Sequence, residues 1–590
     1  MNKHDGNKSD TDIIISDMSR CEPASAFSRR ASRNRWQLLS YRTCDSKPQS
    51  GLMFGAPSYV AAPEVTMSLN VSGWHAVSIG FWIPRHDYDG ATTVKVKLDN
   101  DPCFSRISEP EPVPGNEPKD GASLLKEAYF KTADLTGRSL VFGKVGGLFA
   151  QKAYMAYVRL APIDNAAAEA LQADMTSVDT RTVQATIDGT SFFCSNEYLT
   201  REHILELVEP YRYSDVGKVT WAFCYGETTN YPSKVGTYVA RCDNSRKKIS
   251  LGNNPHQMGM ATIQDSLSRL GAKGIIPQAV AAEHVHKMGL KFEAMFRLGI
   301  AGNLPPRPLT GLFAGEFVRA NPQFRLAMSD GTPVEKASYA FPEVRALMLG
   351  IIRESAERFD IDGASLAFNR GPLFAAYEQP VLEDFRKEFN VDARSVTFDD
   401  PRLQQIHSRY LNTFVRDARK VLDEVGAAKG KRLELSVWYE GQTRAERMRY
   451  GIDVETWIRE GLLDSVVGSA GNVGMDPSII SAANTHRCRC IPGLVCSGGT
   501  QHEYRKNLLN GADKFLYPDG ADGIALWDSD TLTAGGIWPA IRRMGHRDEF
   551  SAFLKTPYER PFIALKDVDG CNMETENGRF GLGQAAYSCG

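Results

Sequence analysis

After residue 165 the chain settles into one repeating rhythm: apolar, strand-like runs separated by amphipathic helical stretches. Eight such runs occur, at residues 183–189 (VQATIDG), 219–227 (VTWAFCYGE), 291–299 (KFEAMFRLG), 359–371 (FDIDGASLAFNRG), 432–441 (RLELSVWYEG), 462–469 (LLDSVVGS), 488–496 (CRCIPGLVC) and 522–530 (DGIALWDSD). Strands buried on both faces read as continuous apolar runs, and helices covering a parallel sheet supply that burial. Between the third and fourth runs Pro342 suits a first helical turn. Val344, Leu347, Met348, Ile351 and Ile352 then recur at helical spacing on one face. Ile406, Tyr410, Phe414, Val421 and Leu422 predict a second helix of the same kind. Eight βα units over roughly 350 residues predict an α/β fold, a (β/α)8 TIM barrel within residues 180–560.

Upstream the period is two rather than 3.6. Residues 64–71, 75–83, 92–98, 139–145 and 154–163 are short runs rich in β-branched and aromatic residues, with turn residues between them. They predict an all-β sandwich over residues 51–165, preceding the barrel. Trp74 and Trp82 either bind sugar there or fill its core. Residues 1–50 read as a flexible polar tail and 561–590 as a C-terminal extension. A twin arginine in SRRASRNRW (residues 28–36) is followed by no apolar stretch, so the expected compartment is the cytoplasm.

A net charge of -2 argues against nucleic acid as a partner, and no apolar run is long enough to span a membrane. The eleven cysteines are scattered, and Cys488 and Cys490 flank one residue, which is not a zinc-site spacing. His284 and His286, two apart on a helix, do not share a face. No metal and no organic cofactor is implied. The oligomeric state is not legible in the residues.

VHKMGLKFEAMFRLG (residues 285–299), FPEVRALMLGIIRESAERFDIDGASLAFNRGP (residues 341–372) and DGIALWD (residues 522–528) resemble the bacterial glycosyl-hydrolase-like barrels described as family 10-like glycosidases. The resemblance covers most of residues 183–530, and the upstream sandwich resembles the accessory domain that precedes such barrels. It implies a TIM barrel acting on a polysaccharide or oligosaccharide. Related stretches read D-G-x-x-L-D, with a carboxylate where this chain has Ala367.

Barrel chemistry belongs at the C-terminal ends of the strands, where Asp188, Glu227, Arg297, Asn369, Arg370, Glu440, Asp528 and Asp530 gather. A glycosidase needs two carboxyl groups flanking the scissile bond. A separation near 5 Å would retain configuration and roughly 6.5–9.5 Å would invert it. Glu440, after Trp438 and Tyr439, is the leading general acid, and Asp528 is its carboxylate partner. Asp362 is the third catalytic candidate, although strand parity sets it on the face opposite Ser365, Ala367 and Asn369, where an aspartate anchors backbone.

Glu227, Arg297, Asn369, Arg370 and His502 are candidate substrate holders, and Tyr225, Tyr439 and Trp527 are candidate stacking platforms. The residues predict a glycoside hydrolase. They leave open a carbohydrate-binding barrel disarmed at Ala367, and a polysaccharide lyase using Tyr439 or His502 as base beside Arg297 and Arg370.

Overall fold

The computed structural model describes residues 12–44, 49–83, 92–108, 124–148, 150–242, 255–300, 315–370, 372–468, 475–494, 521–533, 538–546, 548–549 and 562–572. Its centre is a parallel ring. The eight strands are β1 (Val183–Ile187), β2 (Val216–Tyr225), β3 (Lys291–Arg297), β4 (Gly363–Ala367), β5 (Glu434–Trp438), β6 (Ser465–Val467), β7 (Arg489–Ile491, resuming at Gly493–Leu494) and β8 (Ile524–Leu526). Each pairs in parallel with its sequence neighbours, and β1 pairs with β8. Pro492 breaks β7 because it has no N–H to give to a ladder. The first part of β7 therefore serves β6, the second part serves β8, and the ring closes.

Alternation along each strand separates two cores. Ala222, Met295, Ala367, Trp438, Val467, Ile491, Ala525 and Trp527 fill the inside of the ring. Phe223, Phe292, Phe296, Leu366 and Val437 face the helices. Helix Pro342–Arg358 buries Val344, Met348, Ile351 and Ile352 against that outer layer, as its spacing predicts. Helix Pro401–Lys429 starts where the Asp400 carboxylate accepts the Arg402 N–H, and stops at Gly430 in a left-handed conformation.

The N-terminal end of the ring is sealed by paired charge. Lys218 lies 3.2 Å from Glu293 and 2.9 Å from Glu434, and Glu434 also meets Arg489 at 2.9 Å. Thr220 donates to Glu293 and Gln184 donates to Thr220.

The sandwich pairs a large antiparallel sheet with a four-stranded one. Phe54, Val77, Ile79 and Phe81 of the first meet Met67, Val96, Leu140 and Phe142 of the second. Two expectations about the ends of the chain give way. Residues 13–15, 27–28 and 36–43 are strands rather than tail, and Trp36 is fully buried with its indole N–H donating to the Pro63 carbonyl at 2.7 Å. Ile15, Met18, Phe27, Leu39 and Tyr41 are buried with it and anchor that segment in the sandwich.

Past residue 561, strand Phe562–Val568 pairs with both Leu124–Asp134 and Trp36–Thr43. It thereby curls the large sheet into a closed ring around Tyr41, Met53, Trp82, Tyr154, Tyr157 and Leu565. Trp82 is thus a core residue, packed edge-on to Tyr154 at 5.0 Å. Gly51, Gly55 and Gly80 leave room for the rings of Tyr41, Tyr154 and Tyr157, each of which a Cβ would strike.

Sandwich and barrel meet through buried charge: Lys95 with Glu206 at 2.7 Å, and Arg106 with Glu197 at 2.9 Å and Glu206 at 3.1 Å. Among the described residues no helix is long and apolar enough to cross a membrane.

Candidate active site

Six strands, β1 to β5 and β8, deliver the described residues at the mouth of the ring. Asp188 follows β1 and precedes Gly189, whose positive φ of 88° and contact with the Ala222 carbonyl exclude a side chain. The Asp188 Oδ1 accepts from the Thr190 N–H at 2.8 Å, the Ser191 N–H at 2.7 Å and the Tyr225 hydroxyl at 3.0 Å. Its Oδ2 lies 3.6 Å from Arg297 Nη2. Burial alone would raise this carboxyl, but Arg297 and the N–H donors outweigh it and pull it down to about 2. Asp188 stays ionised.

Arg297 closes β3 and is 5% exposed. Its guanidinium sits over the Tyr225 ring at 4.6 Å and the Trp527 ring at 5.4 Å, and its Nε is buried without an acceptor among the described residues. Tyr225 reaches this level because a bulge between Ala222 and Cys224 resets the alternation of β2.

Asp528 follows Trp527 in a left-handed conformation, φ 48°, and its N–H donates to Thr186 Oγ1 at 2.8 Å. Ser529 fixes the turn by bonding the Thr186 carbonyl and the Tyr211 hydroxyl, each at 2.8 Å. The Asp528 Oδ1 lies 3.8 Å from Arg297 and is buried without a hydrogen bond among the described residues. Burial pushes the Asp528 carboxyl up, against Arg297 and with Asp188. Burial and the two neighbouring aspartates push Asp530 up to about 8. The mouth therefore holds one carboxylate fixed as an anion and two biased toward the protonated form.

Trp438 packs edge-on to Trp527 at 5.0 Å, and Arg370 lies over the Trp527 ring at 5.8 Å. Burial, then the charge of Arg297, lowers the Arg370 guanidinium below its ordinary value. Asn369 Oδ1 is buried and has no partner among the described residues. Ala367, fully buried, lies in register between Arg297 and Trp438. Trp438 faces the inner core and Tyr439 the outer one, and the half-buried Glu440 follows two residues past the end of β5.

Several candidates are employed elsewhere. Asp362 precedes β4 at the opposite end of the ring, where it accepts the Phe292 N–H at 2.8 Å and pairs with His286 at 2.9 Å, so it anchors backbone and is no catalytic acid. Glu227 is 1% exposed and its carboxylate accepts the Phe317 and Val318 N–H groups, at 2.8 and 3.0 Å, so it tethers the β3 loop instead of holding substrate.

Tyr439 lies in the outer core, 5.5 Å from the Arg447 guanidinium, which removes it as a platform and as the base a lyase needs. Tyr225 is covered by Arg297 and bonded to Asp188, so it positions these two groups and offers no open face to a sugar. His502 lies outside the described residues.

Asp188 and Asp530 were visible in the sequence as mouth residues, but neither had a role until burial and neighbours were known. Among the described residues no three His, Cys, Asp or Glu side chains converge as a metal site.

No family model and no curated relative matches this chain. Similar solved structures include the alpha-L-fucosidase isoenzyme 2 from Paenibacillus thiaminolyticus, at 10% identity over 61% of this chain and 49% of that one, TM-score 0.37. The PgaB (BpsB) glycoside hydrolase domain from Bordetella bronchiseptica is 13% identical over 61% of this chain and 97% of that one, TM-score 0.41. The CBM22-1–GH10 modules of the Clostridium thermocellum endo-1,4-beta-D-xylanase 10B are 12% identical over 83% and 86%, TM-score 0.28.

The chain spans about half the length of the fucosidase chain. These neighbours are glycoside hydrolases, and the family 10-like membership implied by the sequence resemblance gains no family match. With TM-scores of 0.41 or less, the functional reading rests on the residues of the mouth.

Proposed function

We propose that the barrel hydrolyses O-glycosidic bonds of a polysaccharide or oligosaccharide, with Asp528 as general acid and Glu440 as the facing carboxylate. The observation that carries this reading is the sharing of Arg297 between Asp188, held ionised, and Asp528, pushed toward its protonated form. A carboxyl group biased toward its protonated form, beside a guanidinium that can stabilise the anion it leaves, is what a general acid on a sugar requires.

Asp528 gives its proton to the glycosidic oxygen as the bond to the anomeric carbon breaks. The carboxylate left behind lies 3.8 Å from Arg297, which stabilises it. Glu440 attacks the anomeric carbon or takes a proton from the attacking water. Asp188 and Tyr225 position Arg297, while Asn369 and Arg370 hold sugar hydroxyls or an acidic substituent. These roles move the proton donor from Glu440 to Asp528.

Ala367 favours a second reading, a sugar-binding barrel without turnover, since β4 brings no carboxylate to the mouth. A panel of polysaccharides assayed for new reducing ends separates the two. Asp528→Asn and Glu440→Gln should each lower kcat by about 10²–10⁴-fold with binding retained. Unchanged turnover in either variant removes that residue from the mechanism. Turnover that appears only in Ala367→Asp establishes the binding reading.

A further inference from the structure

A second cavity lies away from the mouth, on the flank of the barrel where the sandwich meets it. It encloses about 760 Å³, on the scale of pockets that hold a drug-sized ligand, about 300–1,000 Å³. Strands Ser105–Ser108 and Leu124–Asp134 of the sandwich line one side, and the Glu209–Tyr213 stretch together with helix Trp538–Ile541 and Arg542 of the barrel line the other.

The chemistry of this cleft is specific in two respects. The first is aromatic. Trp74 and Tyr213 line it, and Tyr213 is 49% exposed, unusual for so large a ring. Trp74 is also the sandwich tryptophan that the large sheet leaves half-buried, whereas Trp82 is consumed by the core.

The second is charge. Most cations of the cleft are matched: Lys131 by Asp101 at 2.6 Å, Arg212 by Glu209 at 2.5 Å, and Arg106 by Glu197 and Glu206. Arg542 differs. Its guanidinium is laid over the Tyr129 ring at 5.3 Å, and among the described residues it has no ion pair, with Nε buried and lacking an acceptor. Contact with the ring holds the guanidinium in place, which lowers the ordering cost of receiving an anion. A carboxylate accepts such a fork in bidentate fashion.

We propose that the cleft between sandwich and barrel is a second glycan-binding site that takes an acidic oligosaccharide, with a uronate carboxylate on Arg542 and a sugar ring on Tyr213 and Trp74. The proposal names a substrate class for the carbohydrate reading of the barrel and rests on that reading. Binding at the flank would hold an acidic polymer on the protein while the mouth, where Arg297 and Arg370 also present positive charge, acts on a neighbouring stretch of it.

The test is equilibrium binding by calorimetry with full-length Asp528→Asn, so that turnover does not enter the measurement. The probes are tetramers of galacturonate, mannuronate and glucuronate, with neutral cellotetraose as control. At least one uronate tetramer should bind ten times more tightly than cellotetraose. Arg542→Gln and, separately, the exposed Tyr213→Ala should each weaken that binding tenfold or more. Introduced instead into protein that retains Asp528, both changes should leave the thermal midpoint and turnover on a short soluble substrate unchanged.

Equal affinity for cellotetraose, or no binding of any uronate tetramer, overturns the proposal. So does uronate binding that survives both variants, because it would belong to the mouth. Loss of hydrolysis in otherwise wild-type protein with intact cleft binding would overturn the catalytic reading and leave this site standing.

Discussion

The two ends of one barrel treat charge in opposite ways. At the N-terminal end, Glu293 and Glu434 share Lys218, with Arg489 and Lys291 adding further cations to Glu434. Lys218 is buried, yet Glu293 and Glu434 outweigh the cost of burial and hold its ammonium above its ordinary value. At the C-terminal end Arg297 is the near cation for Asp188 and Asp528, with the half-buried Asp530 beside them. One strand, β3, takes part in both, with Glu293 near one end and Arg297 at the other. Cations in excess lock one end; carboxyl groups in excess leave protons poised at the other. The difference teaches that the charge ratio, rather than the number of charged groups, separates a structural layer from a reactive one.

The strongest challenge to that contrast is Lys218→Met, which strands the buried Glu293 carboxylate. Unfolding in denaturant should show a loss of about 3–5 kcal/mol, while turnover per folded molecule stays at the wild-type level. A fall in specific activity would mean that the two ends are coupled.

Next comes Asp188→Asn. Its carboxyl goes from 3.8 to about 2 on folding, so the ionised form contributes roughly 2 kcal/mol at neutral pH. Because the folded value is the lower one, this contribution is present above about pH 4 and disappears as pH falls toward 2. Thermal midpoints should therefore separate wild type from the variant at pH 6 and converge near pH 2. A constant gap would show that Asp188 acts through packing.

The smallest effect at acidic pH belongs to Asp530→Asn, and its sign is opposite. The folded protein holds this proton up to about 8, against 3.8 when unfolded, so the wild type loses stability as pH rises between those values. The variant should match wild type at pH 4 and exceed it progressively by pH 8. Parallel curves would remove Asp530 from the titrating set.

The barrel was legible in the sequence because strands buried on both faces must be apolar throughout, and all eight runs are strands. Parity read correctly where a strand is regular, as in β4, where Ala367 faces inward and Asp362 does not. The same alternation turns Tyr439 outward beside the inward Trp438, which is why it is no platform at the mouth, whereas β2 departs from regular alternation and needs its bulge to bring Tyr225 there.

The fate of each carboxylate was harder to read, because it depends on donors remote in sequence. Glu227 is claimed by N–H groups 90 and 91 residues away, and Asp362 by His286, 76 residues earlier. Nothing in a strand-end glutamate announces that a later loop will fold over it. Strands Trp36–Thr43 and Phe562–Val568 escaped notice for a related reason: they mix apolar and charged residues and gain their burial from each other across 525 residues.

That last pairing has a consequence for how this molecule can be made and divided. The sandwich draws on segments from both sides of the barrel, since strand Phe562–Val568 lies between Trp36–Thr43 and Leu124–Asp134 and joins them. Topologically the barrel is an insertion within the sandwich rather than a domain that follows it. During synthesis the large sheet stays open until the whole barrel has left the ribosome, and a fragment cut between residues 165 and 180 would carry two raw strand edges in search of a partner.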